Sequence, residues 1–392
     1  MVGGGPAGLT AAIALASAGL STTLVAGQPR LPDNRTTALL SSSVTALDTI
    51  SVWNACRPSA APLRTLRIID DTRRLWRAPE IKFQASEIGL EAFGWNIENR
   101  HLVAALAERA RTLANLTWID DTARSVDVSE VSVVVTLSGG GDLVFRLVVG
   151  ADGHNSLCRE AAKIETTGWR YPQIALTFNL AHARPHQDIS TEFHAESGPF
   201  TLVPLPGLRS SLVAVLTPAE AKAWDSVDAA ILAEKIEQRS HSILGKVSVE
   251  AGHRAFPLSV RTARRFAKNR IALVGEAAHV IPPIGAQGLN LGLRDAATIG
   301  ELAANARRAG SDIGSTAVSD RYEQLRRADV MSRTAAVDVL NRSLLSDFLP
   351  VQGARGLSLY LLDRIGPLRR AVMREGTMPA AAQPRLMRGE AL

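Results

Sequence analysis

A chain of 392 residues with 46% apolar content is long enough for two lobes, each with its own buried core. Its net charge of +6 suits anionic ligands or an anionic membrane surface, and a compositional bias of the genome explains it equally well. The absence of a basic stripe interleaved with aromatics argues against nucleic acid, and two distant cysteines, Cys56 and Cys158, exclude a disulfide framework and read as reduced, structural and cytosolic.

The apolar N-terminus imitates a secretory signal, but it has no basic leading region, and glycines from Gly3 to Gly8 interrupt it. The helix that could form from Pro6 to Ala18 is much shorter than the ~20 residues a membrane span needs. Gly3, Gly5 and Gly8 have G-x-G-x-x-G spacing; Leu9–Ala18 is predicted as a helix, stopped by Gly19, and Ser21–Val25 as a strand. In such a βαβ unit the glycines let the backbone approach a pyrophosphate, and the helix start offers it aligned N–H groups. A ligand-free turn is the other reading. An acidic residue is expected about 20 residues on, to hold the ribose hydroxyls. Ala26 and Gly27 stand there, leaving the backbone or Arg35 for that task. Only Met1 and Val2 precede the loop, against ~5–6 residues for a central strand, so the native chain is expected to start upstream.

Val131–Leu137 and Leu143–Val149 are predicted as a hairpin about a glycine turn, the second strand delivering Gly150-Ala151-Asp152-Gly153. Asp152 could accept hydrogen bonds from cofactor hydroxyls or serve as a plain turn residue. Between Gly168 and Pro257 come strands at Gln173–Leu180, Phe200–Val203 and Ser211–Leu216, read as a sheet roofing the site. His182, His186 and His194 lie there with Glu192 and Glu196, but Pro185 interrupts any helix that would align the first two; no metal site is expected. Arg270–Val274 is a buried strand ending in Gly275-Glu276, followed by Pro282-Pro283, Gly285-Ala286-Gln287-Gly288 and a helix over Leu289–Ala306, whose start is an anion site. His279 reads as a packed residue rather than a base. Trp53, Trp76, Trp95 and Trp169 line either a pocket or the core. Helices are predicted over Tyr322–Arg333, Ala335–Leu345 and Gly356–Ile365. Leu357, Leu359, Leu361 and Leu362, beside Arg369, Arg370 and Arg374, rest either on a membrane or on the nucleotide lobe. The tail, 376–392, is expected to be disordered.

Three glycine-rich stretches in this order, two of them directly after apolar strands, read as one flavin site. With Asp33-Asn34-Arg35-Thr36-Thr37-Ala38-Leu39, Glu98-Asn99-Arg100-His101-Leu102, Gly198-Pro199, Leu205-Pro206 and Asn341-Arg342-Ser343-Leu344, the chain resembles the class A FAD monooxygenases of the p-hydroxybenzoate hydroxylase type. Within them it is most similar to the branch that hydroxylates polyprenylated phenols in ubiquinone biosynthesis, from Gly3 to about Arg374.

The resemblance implies an α/β fold: a Rossmann-like FAD-binding domain (1–68, 96–163 and 262–330), an inserted mixed or antiparallel β-sheet substrate domain (69–95 and 164–261) and a C-terminal helical region (331–375). It implies Gly3, Gly5, Pro6, Ala7 and Gly8 on the FAD pyrophosphate and Arg35 and Asn99 along the cofactor. Asp152 is shared between FAD and a passing nicotinamide, Gly275 and Glu276 lie at the ribityl chain, and Gln287, Gly288, Leu289 and Asn290 at the isoalloxazine. Backbone groups of Pro283 and Gly285 are the expected oxygen-reaction pocket. Glu276 departs from the family's usual Asp, and Gly285-Ala286 reverses the usual order. The implied activity is hydroxylation of a polyprenyl-phenol ring through a C4a-hydroperoxyflavin, consuming NAD(P)H and O₂. The implied setting is cytoplasmic, at the inner-membrane surface, among other ubiquinone-biosynthesis proteins. A flavoprotein that inserts no oxygen (prenyl-reductase-like), a hydroxylase of another small aromatic compound and a non-catalytic subunit of a biosynthetic complex stay open.

Overall fold

The computed structural model describes residues 1–28, 35–72, 77–346, 348–378 and 383–392; Trp76 and the Asp33-Asn34 end of one motif lie outside them. The nucleotide lobe is built on parallel strands. Thr22–Val25 pairs with Leu116–Ile119, Val148–Gly150 pairs with Ile271–Leu273, and Val2 bridges Val25 on one side and Gly150 on the other. So short a central strand holds because both its edges are bonded: Val2 N–H donates to Val149 O (3.0 Å) and Gly3 N–H to Val25 O (3.0 Å). Pro6–Ser17 follows as a helix whose proline presets the first turn and whose Leu9, Ala11, Ala12, Ile13 and Ala14 are fully buried. Gln287–Arg308 and Asn99–Arg111 pack against it.

The second lobe centres on a mixed nine-stranded sheet. Thr166–His182, Arg209–Leu216, Gly198–Leu205 and Ile189–Ala195 form antiparallel neighbours, after which Thr65–Asp70 adds in parallel. Helices Pro218–Asp225 and Ala229–Arg239 cover one face, burying Trp224, Leu232 and Ile236. Thr65–Asp70 thus lies wholly in this sheet, so the chain leaves the nucleotide lobe before residue 65 rather than at 69.

Several elements differ from their predicted form. The strand expected over Leu143–Val149 is split: Asp142–Phe145 stays in the hairpin, while Val148–Gly150 crosses to pair with Ile271–Leu273. Tyr322–Arg333 and Ala335–Leu345 are one helix, Thr316–Leu345, because buried Arg326, Val330, Thr334, Val337 and Asn341 keep a single inward face across the expected break. The tail expected to be disordered turns through a short 3₁₀ helix at Arg385–Arg388, where Leu386 and Met387 are buried in the nucleotide-lobe core. Leu392 packs against the same core, and Arg385 N–H donates to Glu301 (2.8 Å), which seats the tail.

A polar network joins the lobes. Glu98, buried at the end of strand Gly94–Glu98, accepts from Asn179 Nδ2 (3.1 Å) and both terminal nitrogens of Arg209 (3.4 Å each), while Arg209 also grips Glu250 (2.7 Å). Burial works against the Glu98 charge, and Arg209 and Arg100 outweigh it, holding the carboxyl below its ordinary range. Arg209→Ala removes both ion pairs, with an expected loss of about 2 kcal/mol in urea unfolding. An unchanged midpoint would show that the two ion pairs add nothing to stability.

Candidate active site

Three loops meet at the edge of the parallel sheet, and backbone contact brings them together. Gly3 has a φ of +105°, and a methyl group there would lie 2.3 Å from Ala151 O. One on Gly8 would lie 2.1 Å from Gly3 O, so the first helix can sit this close to the loop only without a side chain. Ala7 Cβ in turn lies 3.3 Å from the Cβ position of Gly275 and 3.2 Å from that of Gly292. At Gly5 the same construction meets nothing within 4 Å. The first helix starts there without a side-chain cap, so its first-turn N–H groups lack an internal acceptor. A close approach open on the outside and rich in donors fits a pyrophosphate.

The second loop is held by its own acid. Asp152 accepts from Ser156 Oγ (2.6 Å) and Cys158 N–H (3.0 Å), bracing the start of helix Leu157–Ala161. Both oxygens are already engaged, so any ligand contact uses their remaining lone pairs. Arg159 escaped the sequence reading and is the strut between two of the loops: it donates to His154 O (3.0 Å) and to Ala277 O (3.0 Å). Arg261 donates to the same His154 carbonyl (3.2 Å). Burial, then the charges of Arg261, Arg159 and Arg170, hold the His154 imidazole below its usual range against the opposing pull of Glu276. Cationic side chains on this wall favour an anionic cofactor.

Glu276 alone is exposed in the otherwise buried run Ile271–His279, and it bonds to no other side chain or backbone group among the described residues. That leaves a carboxylate free to accept from a sugar or ribityl hydroxyl. Pro283, Gly285 and Gly288 are exposed on the turn ahead of helix Gln287–Arg308, which also starts without a side-chain cap, at the left-handed Ala286. Gln287 Nε2 donates to Gly285 O (2.9 Å), and Leu289 is half-buried. Asn290, expected along a ring, is buried and saturated. It accepts from Leu40 N–H (2.9 Å) and donates to Ala38 O (2.8 Å) and Ala286 O (2.6 Å). It clamps strand Thr36–Leu40 to the helix start. Asn99 accepts from Thr37 Oγ1 (2.7 Å), and Arg35 lies over the Phe256 ring at 5.9 Å. Trp53 and Trp95 meet edge to face at 5.7 Å with Trp53 buried, whereas Trp169 is exposed.

Behind the third loop runs a buried ion network that sequence reasoning also missed. Asp295 is fully buried and accepts from His279 Nε2 (2.7 Å), Arg326 Nε (2.6 Å) and Gly275 N–H (3.0 Å). Arg326 and Arg294 both continue to Asp329 (2.7 Å each). Burial disfavours the Asp295 charge, but His279 and Arg326 outweigh it and set the carboxyl at about 2. His279 is thereby sealed from the cleft. Elsewhere His194 pairs with Glu192 (2.7 Å) and His182 with Ser210 Oγ (3.0 Å).

The assembled groups fit FAD: two uncapped helix starts, one methyl-free approach, one free carboxylate and a cationic wall. Comparison with known proteins agrees. The family described as FAD binding domain matches residues 1–334. Ubiquinone hydroxylase UbiL of Rhodospirillum rubrum is 35% identical over 401 residues, covering 99% of this chain and 92% of the relative. The 3-demethoxyubiquinol 3-hydroxylase of Escherichia coli is 30% identical over 95% of this chain and 96% of its own. Among solved structures, p-nitrophenol 4-monooxygenase PnpA from Pseudomonas putida has the same fold, with a TM-score of 0.78 at 20% identity over 95% of each chain.

Proposed function

This chain belongs to the FAD-binding flavin hydroxylases of ubiquinone biosynthesis, and on that premise we propose that it hydroxylates the aromatic ring of a polyprenylated phenol at the expense of NAD(P)H and O₂. The observation that carries this reading is where the titratable groups are. Three loops meet between two uncapped helix starts, while the imidazole behind them, His279, is locked to Asp295. Bond making is assigned to a bound group, with His154 and Glu276 beside it as binding residues. FAD, when bound, supplies hydride uptake from a nicotinamide and activation of dioxygen for attack on an electron-rich ring.

The side chains and backbone do the rest. First-turn N–H groups after Gly5 hold the pyrophosphate, and Glu276 accepts from a ribityl hydroxyl. The helix start at Gln287–Leu289 favours negative charge on the pyrimidine edge of the ring system. Pro283 and Gly285 line the face where oxygen reacts, and Asn290 fixes the distance between that turn and strand Thr36–Leu40. The nine-stranded sheet forms the opposite wall and excludes water from the reacting ring. A lipid-tailed substrate places the working position at a membrane surface; among the described residues no helix is long and apolar enough to cross one.

Two measurements test this. Recombinant protein is expected to be yellow and to place one atom of labelled dioxygen in the product ring; conversion under nitrogen would instead favour a flavoprotein that inserts no oxygen. A deletion strain is expected to accumulate a quinone precursor lacking one ring hydroxyl. Normal quinone with no accumulated precursor overturns the assignment.

A further inference from the structure

The C-terminal helices Leu349–Arg364 and Gly366–Thr377 turn two arginines inward beside Met373 and Leu359, which pack on Ile81 and Phe83. Arg355 and Arg369 face inward, only 9% exposed, onto Asp70 (3.1 Å) and Glu87 (2.7 Å). The outer faces carry large apolar side chains rimmed by charged ones. Of the fifteen large hydrophobic side chains most open to solvent among the described residues, eight fall between Phe348 and Met378, so the exposed apolar surface is concentrated on this one hairpin. Their spacing is helical: Leu357, Tyr360 and Leu361 form one stripe, Leu368 and Val372 the next, with Ile365 at the joint. A monomer that kept these faces in water would gain nothing by burying its arginines instead.

Charge decides what covers them. Exposed Arg364, Arg370 and Arg374 flank the stripes and form no ion pair with any described residue, Arg364 lying over the Tyr360 ring at 5.4 Å. The carboxylates of the hairpin are already paired, Asp363 with Arg369 and Glu375 with Arg333. A second copy docked about a two-fold axis would set the unpaired guanidiniums of both copies around one apolar patch. An anionic bilayer offers what both sets need, acyl chains for the stripes and phosphates for the rim. We propose that this hairpin docks the protein reversibly on anionic phospholipid, lying in the headgroup layer. It depends on the proposed substrate only for its purpose; the surface is read from the two helices.

Cosedimentation with vesicles tests it: phosphatidylcholine alone, and phosphatidylcholine with roughly a third phosphatidylglycerol. The wild-type holoprotein is expected to pellet with the second and to be released by salt. Leu357→Ser combined with Leu361→Ser and Val372→Ser, and separately Arg364→Gln with Arg370→Gln and Arg374→Gln, should each weaken that binding at least about tenfold. FAD content and melting temperature confirm that the variants fold. Wild type that pellets with neither vesicle overturns the proposal, as do folded variants that pellet like wild type. So does a dimer that the serine variant splits without any vesicle binding. Turnover of a short-tailed, soluble phenol by every folded form keeps the two readings apart: its failure sinks the proposed reaction and leaves the vesicle result standing.

Discussion

Asp295→Ala is expected to cost about 3–5 kcal/mol in urea unfolding, because Arg326 and His279 are left in the interior without the carboxylate that binds them. It should also strip FAD during gel filtration. The same carboxylate accepts the Gly275 N–H, so its loss frees the turn that presents Glu276. Asp295→Asn keeps an acceptor of the same shape and should recover part of the stability and more of the cofactor. Acid gives an independent check. The folded carboxyl titrates at about 2, below its ordinary 3.8, so its contribution is complete above that ordinary value and disappears as pH falls through the folded one. Between about pH 4 and pH 2 the unfolded state binds more protons, and wild type should lose stability faster than the alanine variant. Parallel acid curves, or an alanine variant as stable and as yellow as wild type, would mean the network is ornamental.

Gly8→Ala should abolish FAD binding, whereas Gly5→Ala, three residues away, should leave the fold intact. At Gly8 the added methyl lies 2.1 Å from Gly3 O and 3.1 Å from Ala151 Cβ, so the loop or the helix must move. Such overpacking costs about 1–3 kcal/mol, and it displaces the backbone that approaches the pyrophosphate. At Gly5 the methyl meets no protein atom and enters the space left for the ligand. The expected outcome is a wild-type melting temperature without cofactor and FAD affinity weakened roughly tenfold. If both substitutions act alike on stability, the contrast between packing glycine and ligand glycine fails.

The first loop was legible because its requirements are local: glycine spacing, proline at the helix start and a β-branched strand after it. The third was legible for similar reasons, since Gly275, Pro283 and Gly285 announce a turn wherever they occur. What residue type does not reveal is which partner claims it. Asp152 and Asn290 are expected on the cofactor from their residue type, yet their atoms go first to Ser156, Cys158, Leu40 and Ala38. Arg159 and Asp295 escape a reading by residue type because one partner of each is remote: Ala277 is 118 residues from Arg159, and Arg326 lies on another helix. A signal did exist for Asp295. It stands with Arg294 among buried Leu291, Leu293, Ala296 and Ala297, where charges on an inward helix face demand counter-ions. Thr316–Leu345 was divided for want of a local helix signal, although its inward face runs on unbroken.

The pairing of Val148–Gly150 with Ile271–Leu273, and the seating of Gln287–Arg308 on Pro6–Ser17, also dictate when the nascent polypeptide can close. The βαβ unit over Val2–Val25 leaves the ribosome well before its last layer, Gln287–Arg308, encoded almost three hundred codons later. At about 5–20 residues per second that delay is roughly 15–60 s, with a sticky, half-covered surface open to solvent throughout. Holdase chaperones are therefore the natural attendants of this gene product, and slowing translation before codon 287 should lower its soluble yield.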